Sequence, residues 1–485
     1  MTRVKGWRIG VVVFILFVAT AIAAPAQTFT SLASFDGFDG SSPWAGVVQG
    51  ADGNFYGTTS GGGNGGSIFK ITATGTLTYV YKFCNRCSEG DAPYAGLVLA
   101  TDGNFYGTTM LGGGYTTGTV FKITPADTLT TLHRFRLRTG GMNPQAALVQ
   151  ATDGNFYGTT VGGGSYGAGT VFKITPAGKL TTLYSFCSQA NCPDGYQVYA
   201  GLVQGRDGNF YGTTWAGGNN YCYGGCGTIF KITPTGTLTT LYRFCTQTGC
   251  SDGAFVAAGL VQATDGNFYG TTAAYGGPSG GGTVFKITSG GKLTTLYSFC
   301  SQTNCADGDY PVAGLVQATD GNFYGTTELH GGNNSCAPDG CGTIFQMTPA
   351  GTLTTLHSFD QTDGSRPFAR LLQATNGNFY GTTYGGGTNS CSPDGCGTVY
   401  SLATGLGPFV SFVRGSGKVG WKVEILGQGF TGTTGVSFNG TAASYMVHSD
   451  TYLTATVPQG ATTGFATVTT PGGTLQSNVV FRVKP

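Results

Sequence analysis

Along residues 28–404 the apolar positions alternate with the period of two shown by half-buried strands, and no stretch carries the period of an amphipathic helix. The segment from Ala200 to Phe244 is representative. "AGLVQ" is a short apolar run, and "DGN" at Asp207–Asn209 has the chemistry of a tight hairpin turn. "NFYGTT" then alternates and is rich in Thr and aromatic residues, as strands are. After a Gly-rich gap come "GTIFKIT" (Gly227–Thr233), the turn "PTGT" and "LTTLYRF" (Leu238–Phe244). The pattern predicts four antiparallel strands, a to d, joined by hairpin-type links.

The unit recurs. "GNFYGTT" begins at Gly53, Gly103, Gly154, Gly208, Gly266, Gly321 and Gly377, with spacings of 50, 51, 54, 58, 55 and 56 residues. Four-stranded units repeated around an axis are the blades of a β-propeller. The fourth-strand pattern also occurs seven times, but its first copy, "TFTSLASF" (Thr28–Phe35), precedes the first "GNFYGTT". The last unit ends at "GTVYSLA" without a fourth strand of its own. The leading strand is therefore predicted to fill the empty outer place of the last blade, which removes open sheet edges. The expected fold class is all-β: a seven-bladed β-propeller over residues 27–405, closed by its N-terminal strand. A parallel β-helix is the lesser alternative, because its coils are usually shorter and lack hairpins.

"DGN-aromatic-x-G-T", followed by "GG" and "GTVFKIT", resembles the GloVer-type tandem repeat of secreted bacterial proteins over residues 28–404. It is also similar to the "DGN-aromatic" repeats of other bacterial propellers, including regulator and lyase-like ones. The resemblance implies secretion but no particular activity. Members typically carry a C-terminal anchoring device, and none is recognised here. Over residues 406–485 strand-like runs at Lys422–Leu426, Gly435–Phe438, Tyr452–Val457 and Phe465–Thr469 alternate with Gly-rich turns, which suits a small β-sandwich. "GQGFTGTTGVSFNGT", "TATVPQGATTGFATVTTPGG" and "SNVVFRV" resemble an IPT/TIG immunoglobulin-like domain. That resemblance implies a spacer, dimerisation or adhesion module; the basic loops of its DNA-binding members are missing.

Charge narrows the functions. Only 9% of residues are charged and the net charge is +2, which argues against nucleic acid as a partner. Gly reaches 86 residues beside 13% aromatics, so the glycines are read as turn chemistry in folded β-structure rather than disorder. Residues 1–26 resemble a signal peptide: Arg3, Lys5 and Arg8 precede an apolar run, and Ala24-Pro25-Ala26 offers small residues for cleavage. An N-terminal membrane anchor is the alternative, with a run short for spanning. No membrane span is expected in the mature chain, and a secreted, periplasmic or cell-surface location follows.

Fourteen cysteines form seven close pairs: Cys84/Cys87, Cys187/Cys192, Cys222/Cys226, Cys245/Cys250, Cys300/Cys305, Cys336/Cys341 and Cys391/Cys396. In an exported chain these are read as disulfides. Loops this small are worth about 2 kcal/mol each, so they staple locally. Zinc would need four thiolates from two pairs, and an oxidising compartment opposes it. No cofactor and no metal is expected.

In a propeller the a–b and c–d turns share one face, and here they hardly vary between units. The b–c and d–a connectors share the other, vary in length, and contain every cysteine pair. Stapled variable loops on a rigid scaffold suit binding. "WAGGNNYCYGGC" offers Trp215, Tyr221 and Tyr223 to stack on sugar rings, with Asn219 and Asn220 to take hydroxyls; inter-blade packing of Trp215 is the structural alternative. Tyr115, Tyr166, Tyr275 and Tyr384 occupy comparable loops. Glu328, His330 and Asp339 share one b–c loop, with Asp394 in the next, a set that suits acid–base or cation chemistry; "PDG" at Asp339 and Asp394 is also ordinary turn chemistry. The Asp of "TDGN" is assigned to turns, and the a-strand glutamines, with Leu99 as the exception, to backbone satisfaction. The expected function is a non-catalytic binding or adhesion protein for a carbohydrate or an extracellular protein. An extracellular enzyme acting on polysaccharide or a small molecule, and a purely structural surface component, are the alternatives.

Overall fold

The computed structural model describes residues 27–484 except 39, 63–64, 137–139, 278, 333–334, 337, 390 and 392–393. The expected leader, 1–26, lies outside the described residues. Among these no α-helix occurs, only the short 3-10 turns Thr248–Cys250 and Thr303–Cys305. Seven four-stranded antiparallel sheets, of the kind found in propeller blades, follow one another along residues 28–403. In the fourth, strands a to d are Val203–Gln204, Phe210–Thr214, Thr228–Ile232 and Leu238–Arg243. The five-residue apolar run thus contributes only two residues to the ladder. Its Ala-Gly step runs instead against the neighbouring unit: a Cβ on Gly201 would lie 3.0 Å from the Ala147 carbonyl, and one on Gly259 would lie 3.2 Å from that of Gly201. The leading strand Thr28–Ser34 pairs antiparallel with Thr398–Ala403 and completes the last sheet.

Three contacts join each sheet to the next, and the repeated heptapeptide supplies most of the atoms. The b-strand Tyr stacks on the b-strand Phe of the following unit, as Tyr157 does on Phe210 at 4.0 Å and Tyr211 on Phe268 at 4.0 Å. The first b-strand Thr donates to a carbonyl just before strand a of the following unit, Thr213 to Ala258 at 2.9 Å. The a-strand Gln accepts from a backbone N–H of the preceding unit, Gln204 from Thr152 at 3.0 Å. The seventh unit makes the same contacts to the first: Tyr380 on Phe55 at 3.9 Å, Thr382 to Ala45 at 3.0 Å, and the Thr375 N–H to Gln49 at 3.0 Å. Gly212 completes the motif, because a Cβ there would lie 2.5 Å from the Phe230 ring. The sequence recurs because its Phe, Tyr, central Gly and first Thr meet equivalent partners in each unit.

Two further four-stranded sheets follow, pairing Ser411–Phe412, Lys422–Leu426, Tyr452–Thr456 and Tyr445–Ser449 in one, and Thr441–Ala442, Gly435–Phe438, Ala466–Thr470 and Gly473–Gln476 in the other. They share one apolar core that includes Val423, Phe430, Phe438, Leu453, Val468 and Phe481. This unit rests on the turn end of the repeats. Leu426, Val413 and Tyr452 pack in one cluster with Leu99, and Thr451 donates to the Ala51 carbonyl at 2.8 Å. Leu99 stands where six units carry Gln, and an apolar side chain there gives the C-terminal unit a dry contact.

Candidate functional site

The two ends of the repeats are built differently. At the turn end, Asp207 accepts from the Asn209 N–H at 3.1 Å, from Tyr211 Oη at 2.9 Å and from Lys231 Nζ at 2.8 Å. Burial alone would raise this carboxyl, but the Lys231 ammonium and the Asn209 and Tyr211 donors outweigh it and hold it down at about 2. Asp153 and Asp265 are held in the same way. These carboxylates are consumed in tying turn to strand.

At the loop end, each unit places one residue in the left-handed region just before strand a: Ser42, Ala92, Asn143, Gln197, Phe255, Tyr310 and Arg366, with φ between 52° and 62°. The conformation is unusual for non-Gly residues, yet Gly is never used. Two backbone hydrogen bonds hold it. The Phe255 N–H donates to Cys226 of the preceding unit at 2.9 Å, and its carbonyl accepts from Ala273, just past strand b, at 2.9 Å. The same pair recurs in all seven units, so the backbone is constant while the side chain changes.

Two more positions vary on this frame. One follows by two residues (Trp44, Tyr94, Gln145, Tyr199, Ala257, Val312, Phe368); the other follows "GTT" (among them Trp215, Glu328 and Tyr384). All seven members of the first set, with Trp215, Tyr310 and Glu328, line one open cavity of about 570 Å³. Its wall carries two aromatic clusters. Trp44 stacks on Phe368 at 4.2 Å and meets Tyr384 at 5.0 Å. Trp215 stacks on Phe255 at 5.0 Å and meets Tyr199 edge-on at 6.0 Å. Glu328 shares this lining. Burial pushes its carboxyl up to about 7; the Arg366 charge opposes this, while Asp309 and Asp339 add to it. Glu328 therefore carries a proton for much of the time at neutral pH and can donate as well as accept. Burial likewise raises Asp309, which lies 3.3 Å from His330 Nδ1.

The structure divides the candidate residues read from the sequence. Trp215 and Glu328 face the cavity, and His330 sits apart from its lining, against Asp309. Asp339 is exposed, and its backbone carbonyl receives the His330 N–H at 2.7 Å. Asp394 is also exposed and reaches Arg366 at 3.7 Å. Tyr221 and Tyr223 are fully on the outside, away from Trp215's cavity. Asn219 is committed to its own loop, donating to the Cys245 carbonyl at 2.8 Å and accepting from the Tyr221 N–H at 3.1 Å. Asn220 is exposed beside it. The expected single patch is thus two, because the staple turns the tyrosines outward.

All seven disulfides are formed, from Cys84–Cys87 to Cys391–Cys396. The d–a staples act between units: the carbonyls of Cys87, Cys192, Cys250 and Cys305 each accept an N–H from a glycine in the next b–c loop. The Cys222–Cys226 bridge packs against Cys245 at 3.7 Å, both buried. The b–c staples lie in the connectors and reach from the loop into the core. The second cysteine of each, Cys226, Cys341 and Cys396, is completely buried, so it offers no surface to a ligand. Cys341, bridged to Cys336, joins the core cluster of Ile344 and Phe359, and its carbonyl accepts the Arg366 N–H at 2.9 Å. It stands two residues before strand c (Thr343–Met347), where the chain has already returned to the sheet, and an apolar disulfide sulfur there is packing material. The staple therefore anchors one end of its loop in the core.

Trp44, Tyr94, Tyr199 and Phe368 escape a search for exposed aromatics in loops, since they sit beside the apolar runs; alignment of the units against one another exposes them as the positions that vary.

The fold and this site define a tandem-repeat protein whose repeated atoms build the frame and whose varied atoms face one opening. The family model described as the Gloeobacter/Verrucomicrobia repeat matches residues 18–150, 127–338 and 303–419, and the chain belongs to that family. No curated protein matches it. Among solved structures it is similar to one described as the extracellular domain of a hybrid two component system from B. thetaiotaomicron, at 12% identity and a TM-score of 0.49 over 83% of this chain and 45% of that one. The chain therefore spans under half of that protein's length. It is also similar to one described as a 6-phosphogluconolactonase from Bacteroides uniformis, at 17% identity and a TM-score of 0.42 over 67% of this chain and 84% of that one. Neither likeness assigns chemistry to this chain. The disulfides fit an extracellular protein, and among the described residues no helix is long and apolar enough to cross a membrane.

Proposed function

We propose that this is a secreted protein, exported by the leader at 1–26, whose seven sheets close as the blades of a propeller. Residues 406–485 form an immunoglobulin-like spacer, and the chain binds a carbohydrate at the loop-end cavity without transforming it. The wrap-around contacts of the seventh unit with the first support closure. One observation carries the binding reading: side chains vary on an unvarying backbone at the positions that line the cavity, and they supply two aromatic platforms together with polar groups. Sugars offer apolar ring faces for the platforms and hydroxyls for Gln145 and Glu328. The test is a glycan and polysaccharide binding screen on the secreted protein, repeated with Trp44→Ala and Trp215→Ala. Saturable binding lost in both variants supports the reading. Unaltered binding in both moves the site to Tyr221 and Tyr223, and no binding at millimolar glycan favours a protein partner.

One observation favours catalysis as a second reading. A carboxyl that titrates near 7 beside a second raised carboxyl, Asp309, is suited to general-acid work. Turnover of a bound polysaccharide, abolished by Glu328→Gln with binding retained, would establish it.

A further inference from the structure

Three departures converge at the other end of the repeats. Between strand a and its turn six units carry Thr or Ala, but the fourth carries Arg206. Four residues before each a-strand-end Gln or Leu99 the pattern holds a small residue, and the next position is Gly or Ala in six units but Arg370 in the seventh. The third departure is Arg482, on the last strand of the C-terminal unit, Arg482–Lys484. All three line one cavity of about 600 Å³ between the repeats and that unit.

The cavity holds positive charge without an answer to it. Arg206 is anchored, donating to the carbonyls of Ala263 at 3.0 Å and Thr264 at 3.2 Å. The side chains of Arg370 and Arg482 make no hydrogen bond or ion pair among the described residues, and no carboxylate lines the cavity. Arg206 and Arg370 are exposed to the cavity and Arg482 is half-buried; burial disfavours the charged form of Arg482, and the Arg206 charge adds to it. A guanidinium stays protonated regardless. Like charges gathered around one cavity repel, an anion among them relieves that repulsion, and the planar fork matches the oxygens of a carboxylate or phosphate. The lining also has an apolar part that includes Phe465 and Val479, both of which are exposed.

We infer that this cavity binds a small organic anion, a carboxylate or phosphate, whose charged end lies among Arg206, Arg370 and Arg482 and whose apolar body rests on Phe465 and Val479. The site is independent of the loop-end cavity and of what binds there. Titration calorimetry on the full secreted chain, with benzoate and phenyl phosphate as probes and benzyl alcohol as the neutral control, tests it. Arg370→Gly and Arg206→Thr install the residue that other units carry at the same place, so both variants keep the fold; Arg482→Gln removes the third charge. The expected result is one-site saturable binding of at least one anion, weakened about tenfold or more by Arg370→Gly and by Arg482→Gln. The tighter probe identifies the anion as carboxylate or phosphate. Failure of both anions to saturate, equal binding of benzyl alcohol, or unchanged affinity in the variants would overturn the inference.

Discussion

The turn end and the loop end of the repeats are made from the same seven copies, yet they follow opposite rules. At the turn end, Asp207, Asn209, Tyr211 and Lys231 bond to one another, and equivalent residues do so in neighbouring units. At the loop end a constant pair of backbone bonds sets the conformation without using the side chain, and Ser, Ala, Asn, Gln, Phe, Tyr and Arg succeed one another at one position. Positions whose side chains carry the repeated contacts are constant, and positions held by backbone bonds alone are free to vary. The difference separates frame from site within a single repeat.

Four experiments test that contrast. The largest effect is expected from deleting Thr28–Phe35, which removes the outer strand of the last sheet and the fully buried Phe35. A loss of at least about 4 kcal/mol and of cooperative unfolding should be seen by calorimetry; an unaltered melt would deny the strand its role.

Next comes Glu328, on the site side. Its folded value of about 7 lies above the ordinary 4.5, so the native state holds its proton more tightly. The stability this contributes is present below pH 4.5 and is lost as pH rises toward 7. The loss should be roughly 2 kcal/mol, allowing for partial solvation, and Glu328→Gln should remove that slope from denaturant melts across the range. Of comparable size, Gly212→Ala on the frame forces a Cβ against Phe230 and Leu202 and should cost about 1–3 kcal/mol in urea unfolding. Smallest for stability is Trp215→Ala. Because the ring is half-buried at the cavity wall, its melt should shift by less than about 1 kcal/mol, while glycan affinity falls about tenfold or more. A large loss of stability there would make Trp215 a packing residue.

Much of this could be read from the chain. The strand order within a unit, the missing fourth strand of the last unit and the leading strand that supplies it follow from counting pattern copies. The cysteine pairs are local, at most five residues apart, so spacing alone identified the partners. Spacing does not report depth, and the burial of Cys341 follows from where strand c enters its sheet. The glutamines were expected to satisfy backbone groups, and each of Gln49, Gln150, Gln204, Gln262, Gln317 and Gln373 accepts a backbone N–H from the unit before it. The candidate site was legible only in part. Trp215 and Glu328 were visible as unusual residues, but Trp44 and Phe368, which line the same cavity, come from other units.

Local hydrogen bonding and side-chain alternation operate over a few residues, so the amino-acid order alone dictates strands, turns, staples and the recurring unit. Convergence of seven units on one opening depends on how each wedge leans against the next. That angle is set by packing between Tyr and Phe rings some fifty residues apart, and no short stretch encodes it. The same distance hid the meeting of Arg206, Arg370 and Arg482, which are ordinary surface residues until folding places them around one space.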